Sequence, residues 1–156
     1  MIPVLLSALL LVANPPEGGT VRVKGATFQA ELARTDSERA RGLMHRSQFA
    51  RDRCMFFLYP EDGHYSVWMK NCLISLDVLW VVADGTVVEI QENIPPCSPL
   101  RGDDCPAYGG TVRSRYFVEF AAGTFRRLGL KKGDRIGWDL QLPNGGRVRG
   151  GTLVGR

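Results

Sequence analysis

The middle of the chain constrains the fold most, because its apolar runs have no polar face. Residues 54–59 are wholly apolar, and residues 73–83 are nearly so. Runs that are apolar on both faces are typical of strands enclosed in a barrel or sandwich rather than a one-sided sheet. Asp84-Gly85 follows the second run, and this dipeptide is a strong signal for a tight hairpin turn. The segment therefore predicts neighbouring antiparallel strands in a closed or layered sheet.

Length and composition favour one β-rich domain. The chain has 156 residues, of which 18 are Gly and 9 are Pro. This length fits a single domain, and so many turn-forming residues favour short strands over a helical bundle. We predict a mainly β fold of the β-rich α+β type, a compact antiparallel barrel or sandwich with two short helices.

Two elements precede the apolar middle. Residues 21–32 alternate apolar and polar side chains on both sides of Gly25, which predicts a half-buried hairpin turning there. Thr35 and Glu38 then fit a capping box, in which each side chain bonds to the other's backbone N–H. Apolar residues at helical spacing follow, and the pattern predicts a short helix over residues 36–45.

The last third of the chain predicts further short elements. Residues 116–120 read as a strand, residues 121–128 as a short helix, and a final strand ends at Leu140. The segment beyond is rich in Gly and Arg, and it forms either one more hairpin or a loose tail. We place the globular domain at residues 20–140 and the tail at 141–156.

The amino terminus carries an export pattern. Residues 1–13 hold an apolar run of signal-peptide length that ends at Ala13, a small residue suited to cleavage. A buried strand or an uncleaved anchor are the alternatives. Residues 14–19 predict a disordered start of the mature chain. No apolar stretch is long enough for a transmembrane span, so we expect a periplasmic or secreted protein.

The cysteines predict two disulfides in an exported chain. Cys97 and Cys105 flank a short polar loop that a disulfide could close. Cys54 and Cys72 flank a predicted hairpin that turns near residues 60–63, where facing strand positions lie within disulfide reach. No CxxC spacing occurs and the chain holds only 2 His. We therefore expect neither a metal site nor a cofactor.

Charge gives little information about partners. The net charge is +4, and the basic residues concentrate toward the carboxyl terminus. In an exported protein such a segment can favour envelope polymers or lipid headgroups over nucleic acid. A solvated basic surface is the simpler interpretation and the one we favour. We expect a monomer with no nucleic-acid partner.

Lys70, Asn71 and Asp77 interrupt the apolar middle. A buried charge is costly unless it is paired, so Lys70 and Asp77 form a structural ion pair, are exposed, or belong to a site. In the last of these interpretations, the three side chains line a pocket walled by Tyr65 and Trp68. Aromatic walls with a few converging polar groups are typical of small-molecule sites, and they suit the apolar face of a sugar.

No catalytic template fits the sequence well. Asp77 with Glu89 or Glu92 could act as the paired carboxylates of a hydrolase, although no spacing selects them. The chain has no G-x-S-x-G motif, and no glycine-rich phosphate loop follows a strand. Whether the protein is an enzyme stays open, and the sequence favours a binding domain.

Several motifs follow one another along the chain: ERARGLM at 38–44, WMKN at 68–71, CPAY at 105–108 and LGLKKGD at 128–134. In this ordered series the chain resembles the domain-of-unknown-function 192 family between residues 20 and 139. The resemblance implies a small, single-domain, β-rich fold that is commonly exported in bacteria, with no established activity. That family usually has Gly at the position of Cys54 and Thr or Val at that of Cys72, so the joint presence of these cysteines favours their pairing.

The leading hypothesis is an exported β-barrel-like domain that binds a small molecule or polymer of the cell envelope. A hydrolase acting on envelope polymers is the alternative, and a structural or protein-interaction module is a second one. In the leading hypothesis, the aromatic residues stack on the ligand and Asp77 holds Lys70 in place. The predicted binding residues are Arg41, Tyr65, Trp68, Lys70, Asn71 and Asp77.

Overall fold

The computed structural model of the chain describes residues 18–151. The predicted signal segment 1–13 and residues 14–17 lie outside the described residues. Two α-helices and ten strands make up this part of the chain. They are β1 (Gly18–Val23), β2 (Ala26–Ala33), α1 (Asp36–Arg41), β3 (Arg53–Gly63), β4 (Val67–Trp68), β5 (Leu76–Val81), β6 (Val87–Ile94), β7 (Ala107–Tyr108), β8 (Ser114–Ala121), α2 (Thr124–Leu128), β9 (Ile136–Gln141) and β10 (Arg147–Gly150).

Eight of these strands form one curled sheet in the order β10-β9-β1-β2-β3-β8-β5-β6, and β4 pairs with β7. Backbone hydrogen bonds also join the β5–β6 turn region to the start of β9, because Val87 donates to the Asp134 carbonyl at 2.8 Å and Ile136 donates to that of Gly85 at 2.8 Å. The sheet therefore curls into a half-barrel. This architecture confirms the predicted mainly β fold with two short helices.

The two faces of the central strands contact different cores. Phe56 lies on the inner face of the curl with Trp138, in a cluster that draws residues from most strands and from α2. Phe57 and Trp80 lie on the outer face. Because both faces are covered, β5 is buried along its whole length, which explains the absence of a polar face in the sequence. The segment around α1 and the β4 strand cover the outer face with Leu43 and Val67, among others.

The amino-terminal hairpin and the helix cap form as the sequence predicts. β1 and β2 pair in antiparallel register, with Val23 facing Ala26 across the turn. The Thr35 side chain accepts from the Glu38 backbone N–H, and Glu38 completes the capping box. The predicted length of this helix is wrong, since α1 ends at Arg41, where Gly42 adopts a φ of 44°.

Two boundaries near the carboxyl terminus also differ from the predictions. The second helix begins at Thr124 instead of residue 121, because Ala121 still pairs with Leu76 in the sheet. β10 pairs with β9 through Val148 and Leu140, so the tail forms a hairpin as far as residue 150. The sheet thus extends beyond both predicted domain boundaries, 20 and 140, and residues 18–19 belong to β1 rather than to a disordered start.

The predicted hairpin at residues 60–63 is wrong. β3 continues through this segment to Gly63 and pairs with β2 and β8, whereas β4 pairs with β7. The predicted Cys54–Cys72 disulfide fails for the same reason, because the two thiols lie in different cores. Both are free and buried.

The other predicted disulfide is present. Cys97 and Cys105 are bonded, with a Cα–Cα distance of 5.9 Å. The disulfide closes the loop that leads from β6 to β7, and this loop lies beside Trp68, whose indole N–H donates to the Cys105 carbonyl at 3.1 Å.

Candidate functional site

A cavity of about 730 Å³ lies between the outer face of the sheet and the segment that covers it. One side is formed by α1 and the turn after it, which includes Leu43 and His45. The β4 segment forms another side with Val67 and Trp68. β3 and β8 supply the base. The volume lies within the range of small-molecule sites.

Aromatic side chains line much of this cavity. Phe57 and Phe117 are directly opposite each other on β3 and β8, and their stacked rings lie 4.2 Å apart between centroids. Tyr59 lies two residues farther along β3, on the same face as Phe57. Burial raises the pKa of the Tyr59 hydroxyl to about 12, so it stays protonated at neutral pH. Trp68 stands at the rim and is 42% exposed.

Arg39 connects α1 to the cavity wall. Its guanidinium lies over the Tyr59 ring at 4.7 Å from the centroid. It also donates to the Leu58 carbonyl at 2.8 Å, to the Arg34 carbonyl and to the Asp36 carboxylate. These bonds hold the helix against β3. They also use the Arg39 guanidinium in contacts within the protein.

Glu119 lies at the base of the cavity in a cluster of apolar neighbours. It sits on β8 between Met55 of β3 and Val78 of β5, and only 5% of its surface is exposed. Its Oε2 atom has no hydrogen-bond partner among the described residues. Burial raises the pKa of this carboxyl to about 8, while the Arg46 guanidinium acts in the opposite direction. At neutral pH the group is therefore largely a neutral carboxylic acid.

Cys72 is a second buried titratable group at the cavity. Burial raises the pKa of its thiol to about 11, and the charge of Glu119 contributes in the same direction. A thiol of this kind is uncharged and a poor nucleophile at neutral pH. Cys72 therefore contributes an apolar wall and no nucleophile.

Two of the predicted binding residues, Arg41 and Trp68, line this cavity. Tyr65 does not line it, since its ring stacks behind Tyr59 at 3.4 Å between centroids. The Tyr65 hydroxyl donates to the Glu61 carbonyl at 2.7 Å. Its place is in the wall that supports Tyr59.

Lys70 and Asn71 lie in a neighbouring hollow of about 380 Å³ beside the disulfide loop. Lys70 forms an ion pair with Asp103 and lies 5.2 Å from the centroid of the Trp68 ring. Asn71 has a φ of 58°, and its backbone carbonyl accepts from the His45 N–H at 2.8 Å. These contacts connect the covering segments to each other.

The predicted pairing of Asp77 with Lys70 is wrong. Asp77 is fully buried, and its two oxygens accept from the backbone N–H groups of Asn93 and Phe125 at 2.8 and 2.9 Å. The carboxylate thus ties the end of β6 and the first turn of α2 to β5. Glu92 is exposed and lines, with Asp77, a shallow hollow apart from the cavity. Because both Asp77 oxygens already accept hydrogen bonds from the backbone, Asp77 and Glu92 are unsuited to act as the paired carboxylates of a hydrolase.

Glu119 is among the site residues that the sequence prediction missed, together with the cavity-lining Phe57, Tyr59 and Phe117. The signal for Glu119 was present, because Phe117-Val118-Glu119-Phe120 places one acid inside an apolar strand. Lys70 and Asp77 were selected by the same kind of interruption. Nothing in the local sequence distinguishes an acid that faces a cavity from one that is bonded within the core.

Residues 18–151 contain no candidate metal-binding group and no candidate membrane-spanning helix. No group of three or more His, Cys, Asp or Glu side chains is placed to hold a metal ion within this range. No helix of this range has the length and apolar character needed to cross a membrane.

The fold and the cavity define a small β-barrel-like domain with a partly covered pocket on the outside of its sheet. The chain belongs to the DUF192 family, described as "Uncharacterized ACR", whose model matches residues 19–138. The comparison with curated proteins finds no match.

Two solved structures resemble the chain at a TM-score of 0.66 each. One is a proposed transcription regulator from Sinorhizobium meliloti 1021, 36% identical, with 76% of this chain and 92% of that chain covered. The other is a protein of unknown function from Novosphingobium aromaticivorans DSM 12444, 32% identical, with 76% and 82% covered. They agree with the fold and establish no activity.

Proposed function

We propose that the protein is an exported binding domain that takes a small molecule, or one unit of a cell-envelope polymer, into the cavity beneath α1. The observation that carries this proposal is Glu119, a buried carboxyl group at the base of a 730 Å³ cavity with an oxygen that lacks a partner among the described residues. Buried polar atoms are nearly always bonded. Because Glu119 lines the cavity, an unbonded oxygen on its carboxyl group favours a ligand that completes the bonding of that group.

The walls support the same proposal. Trp68, 42% exposed at the rim, offers an apolar ring face to a ligand, and the buried rings of Phe57 and Phe117 form the apolar wall behind it. Such faces stack on the apolar side of a sugar or on an aromatic ring. One polar group at the base then fixes the orientation of the ligand, which is the usual composition of a small-molecule site.

A thermal-shift screen of the purified chain against monosaccharides, cell-wall fragments and small aromatic compounds tests the proposal. A ligand present at 100 times its dissociation constant should add about 2.7 kcal/mol to the free energy of unfolding. We expect the stabilisation to disappear in Trp68→Ala and in Glu119→Gln.

Leu100→Ala provides the matched control, because Leu100 is 98% exposed and does not line the cavity. It should leave the ligand effect unchanged. The proposal fails if the whole panel gives no shift, or if a shift survives both cavity substitutions.

Export is a separate part of the proposal. The signal pattern of residues 1–13 supports it, and the Cys97–Cys105 disulfide is compatible with an oxidising compartment. We expect the mature protein recovered from cells to begin close to Asn14 and to sit in the periplasmic or external fraction. Intact-mass analysis of the fractions checks this, and a full-length chain confined to the cytoplasm contradicts it.

A further inference from the structure

We propose that the ligand group bound at the base of the cavity is a protonated primary amine, paired with the carboxylate of Glu119. This inference rests on the proposed function and names the ligand class of the same site. It follows from the charges around Glu119, from the aromatic walls, and from the proton balance of binding.

Two arginines near Glu119, Arg46 and Arg39, are already paired. The Arg46 guanidinium donates to both oxygens of Glu31, at 3.0 and 2.7 Å. Arg39 is bonded to Asp36 and to backbone carbonyls. A buried carboxylate without a counter-charge is very costly. A cationic group that enters the cavity would supply that counter-charge.

The walls suit a cation as well as an apolar ring. An ammonium group within about 6 Å of an aromatic centroid is attracted by the negative face of the ring. Two rings of this cavity already contact a cation, since Arg39 lies over Tyr59 at 4.7 Å and Lys70 lies near Trp68 at 5.2 Å. Phe57 and Phe117 stand on the same side of the sheet as Glu119. An amine at the carboxylate would thus have aromatic neighbours.

Binding of an ammonium group changes the protonation of Glu119. In the empty cavity the carboxyl holds its proton at pH 7, because burial raises its pKa to about 8. When the ammonium enters, the carboxyl proton leaves to solvent and an ion pair forms, with no covalent bond made or broken. An amine should therefore release about one proton per molecule bound near pH 7, whereas a neutral ligand should release none.

Other charged and titratable side chains face the same space and set the controls. Besides the paired arginines and Asp36, Arg41 and His45 are exposed at the mouth, and Tyr59 and Cys72 are uncharged at pH 7. The matched control is therefore an acid outside this space, Glu92→Gln, because Glu92 is exposed and does not line the cavity.

The test compares probes that differ in one group, benzylamine against benzyl alcohol and glucosamine against glucose. Calorimetric titration at pH 7 in two buffers of different ionisation enthalpy gives both the affinity and the protons released. We expect the amine of each pair to bind at least about tenfold more tightly and to release close to one proton. Glu119→Gln should abolish both effects, and Glu92→Gln should retain them.

The inference is overturned if the neutral probes bind as tightly as the amines, or if the amine preference persists in Glu119→Gln. Neutral probes that bind and lose affinity in Trp68→Ala would leave the binding function standing without the amine. If no probe binds to the wild-type chain, both the function and the ligand class fail. The comparison within the wild-type protein remains informative even if a variant folds poorly.

Discussion

The carboxyl group of Glu119 lies among apolar side chains, and burial raises its pKa from an ordinary value of 4.5 to about 8. The unfolded chain releases this proton near pH 4.5, whereas the folded chain keeps it until about pH 8. The folded state therefore binds more protons between these values, and the free energy of unfolding must fall as the pH rises through this window. Above about pH 8 both states are ionised and the dependence ends.

Glu119→Gln should remove this pH dependence. The wild-type chain should lose up to roughly 1.4 kcal/mol of stability per pH unit between about pH 5 and 8 relative to the variant, because Gln cannot ionise. Urea unfolding at several pH values measures the difference. Glu92→Gln, at an exposed position, should follow the wild type. Parallel curves for the wild type and Glu119→Gln would contradict a protonated, buried Glu119.

Several other acidic side chains change the stability of the fold at a lower pH than Glu119 does. Glu31 has a lowered pKa because Arg46 donates hydrogen bonds to it, and the pKa of Asp139 is lowered by Arg147. Groups of this kind stabilise the fold above their unfolded pKa and lose that contribution as the pH falls. Their effect lies below about pH 4.5 and does not overlap with that of Glu119.

For single residues, the sequence identified the polar side chains that interrupt apolar runs but not the environments of those side chains. Lys70, Asp77 and Glu119 each interrupt an apolar run, yet one is in a surface ion pair, one is bonded to backbone N–H groups, and one faces a cavity. The difference depends on which segment covers each strand face. That information is tertiary, so spacing along the chain could not provide it.

Asp77 determines how β5, β6 and α2 are joined. α2 spans only five residues, and its N-cap Gly123 offers no side-chain cap. The Asp77 carboxylate takes that role from a neighbouring strand by accepting the Phe125 N–H at 2.9 Å. Because its other oxygen binds the Asn93 N–H, one side chain satisfies two backbone donors in different elements.

Asp77→Asn should therefore be strongly destabilising although it keeps the side-chain shape. The amide offers one acceptor oxygen, so its NH₂ group meets a backbone N–H and one buried donor is left unbonded, which costs about 1–3 kcal/mol. Loss of the negative charge at the start of α2 adds to this cost. Thermal unfolding measures the change, with Glu92→Gln as the nearby exposed control. Unchanged stability in Asp77→Asn would contradict the capping role.

Local signals predicted the elements better than their connections. The Thr35–Glu38 cap and the turns at Gly25 and Asp84-Gly85 are all formed within a few residues, and they are present as predicted. The hairpin at residues 60–63 was wrong because β3 finds its antiparallel partner in β8, more than fifty residues later. A pairing at that distance leaves no mark on the local pattern.

Within residues 18–151, one pair of neighbouring strands is parallel and one set of backbone bonds closes the curl of the sheet. β2 and β3 run parallel, because α1 carries the chain back across the sheet between them. This crossover places α1 over the outer face, where it covers the cavity. The fold class followed from the apolar runs, but the parallel pair did not, since either direction of β3 would bury the same residues.

The closure of the curl at Gly85 allows a paired test. Gly85 has a φ of +90°, and a Cβ at this position would lie 2.3 Å from the carbonyl oxygen of Ile136. The backbone N–H of Ile136 also donates a hydrogen bond to the Gly85 carbonyl. Gly25 has a similar φ of +83°, and nothing lies within 4 Å of its Cβ position. The two turns thus share the cost of a left-handed conformation and differ in the close approach of β9 and of Gly151, whose Cα would lie 2.5 Å from the Gly85 Cβ position.

Gly25→Ala should lower the free energy of unfolding by about 1–2 kcal/mol, the cost of a left-handed conformation for a residue with a Cβ. Gly85→Ala should cost clearly more, roughly 3 kcal/mol or above, because overpacking adds to the same backbone cost. Urea unfolding of the two variants gives the comparison directly. Equal losses would mean that the contact between the β5–β6 turn and β9 contributes little, and that the half-barrel is held by its continuous strands alone.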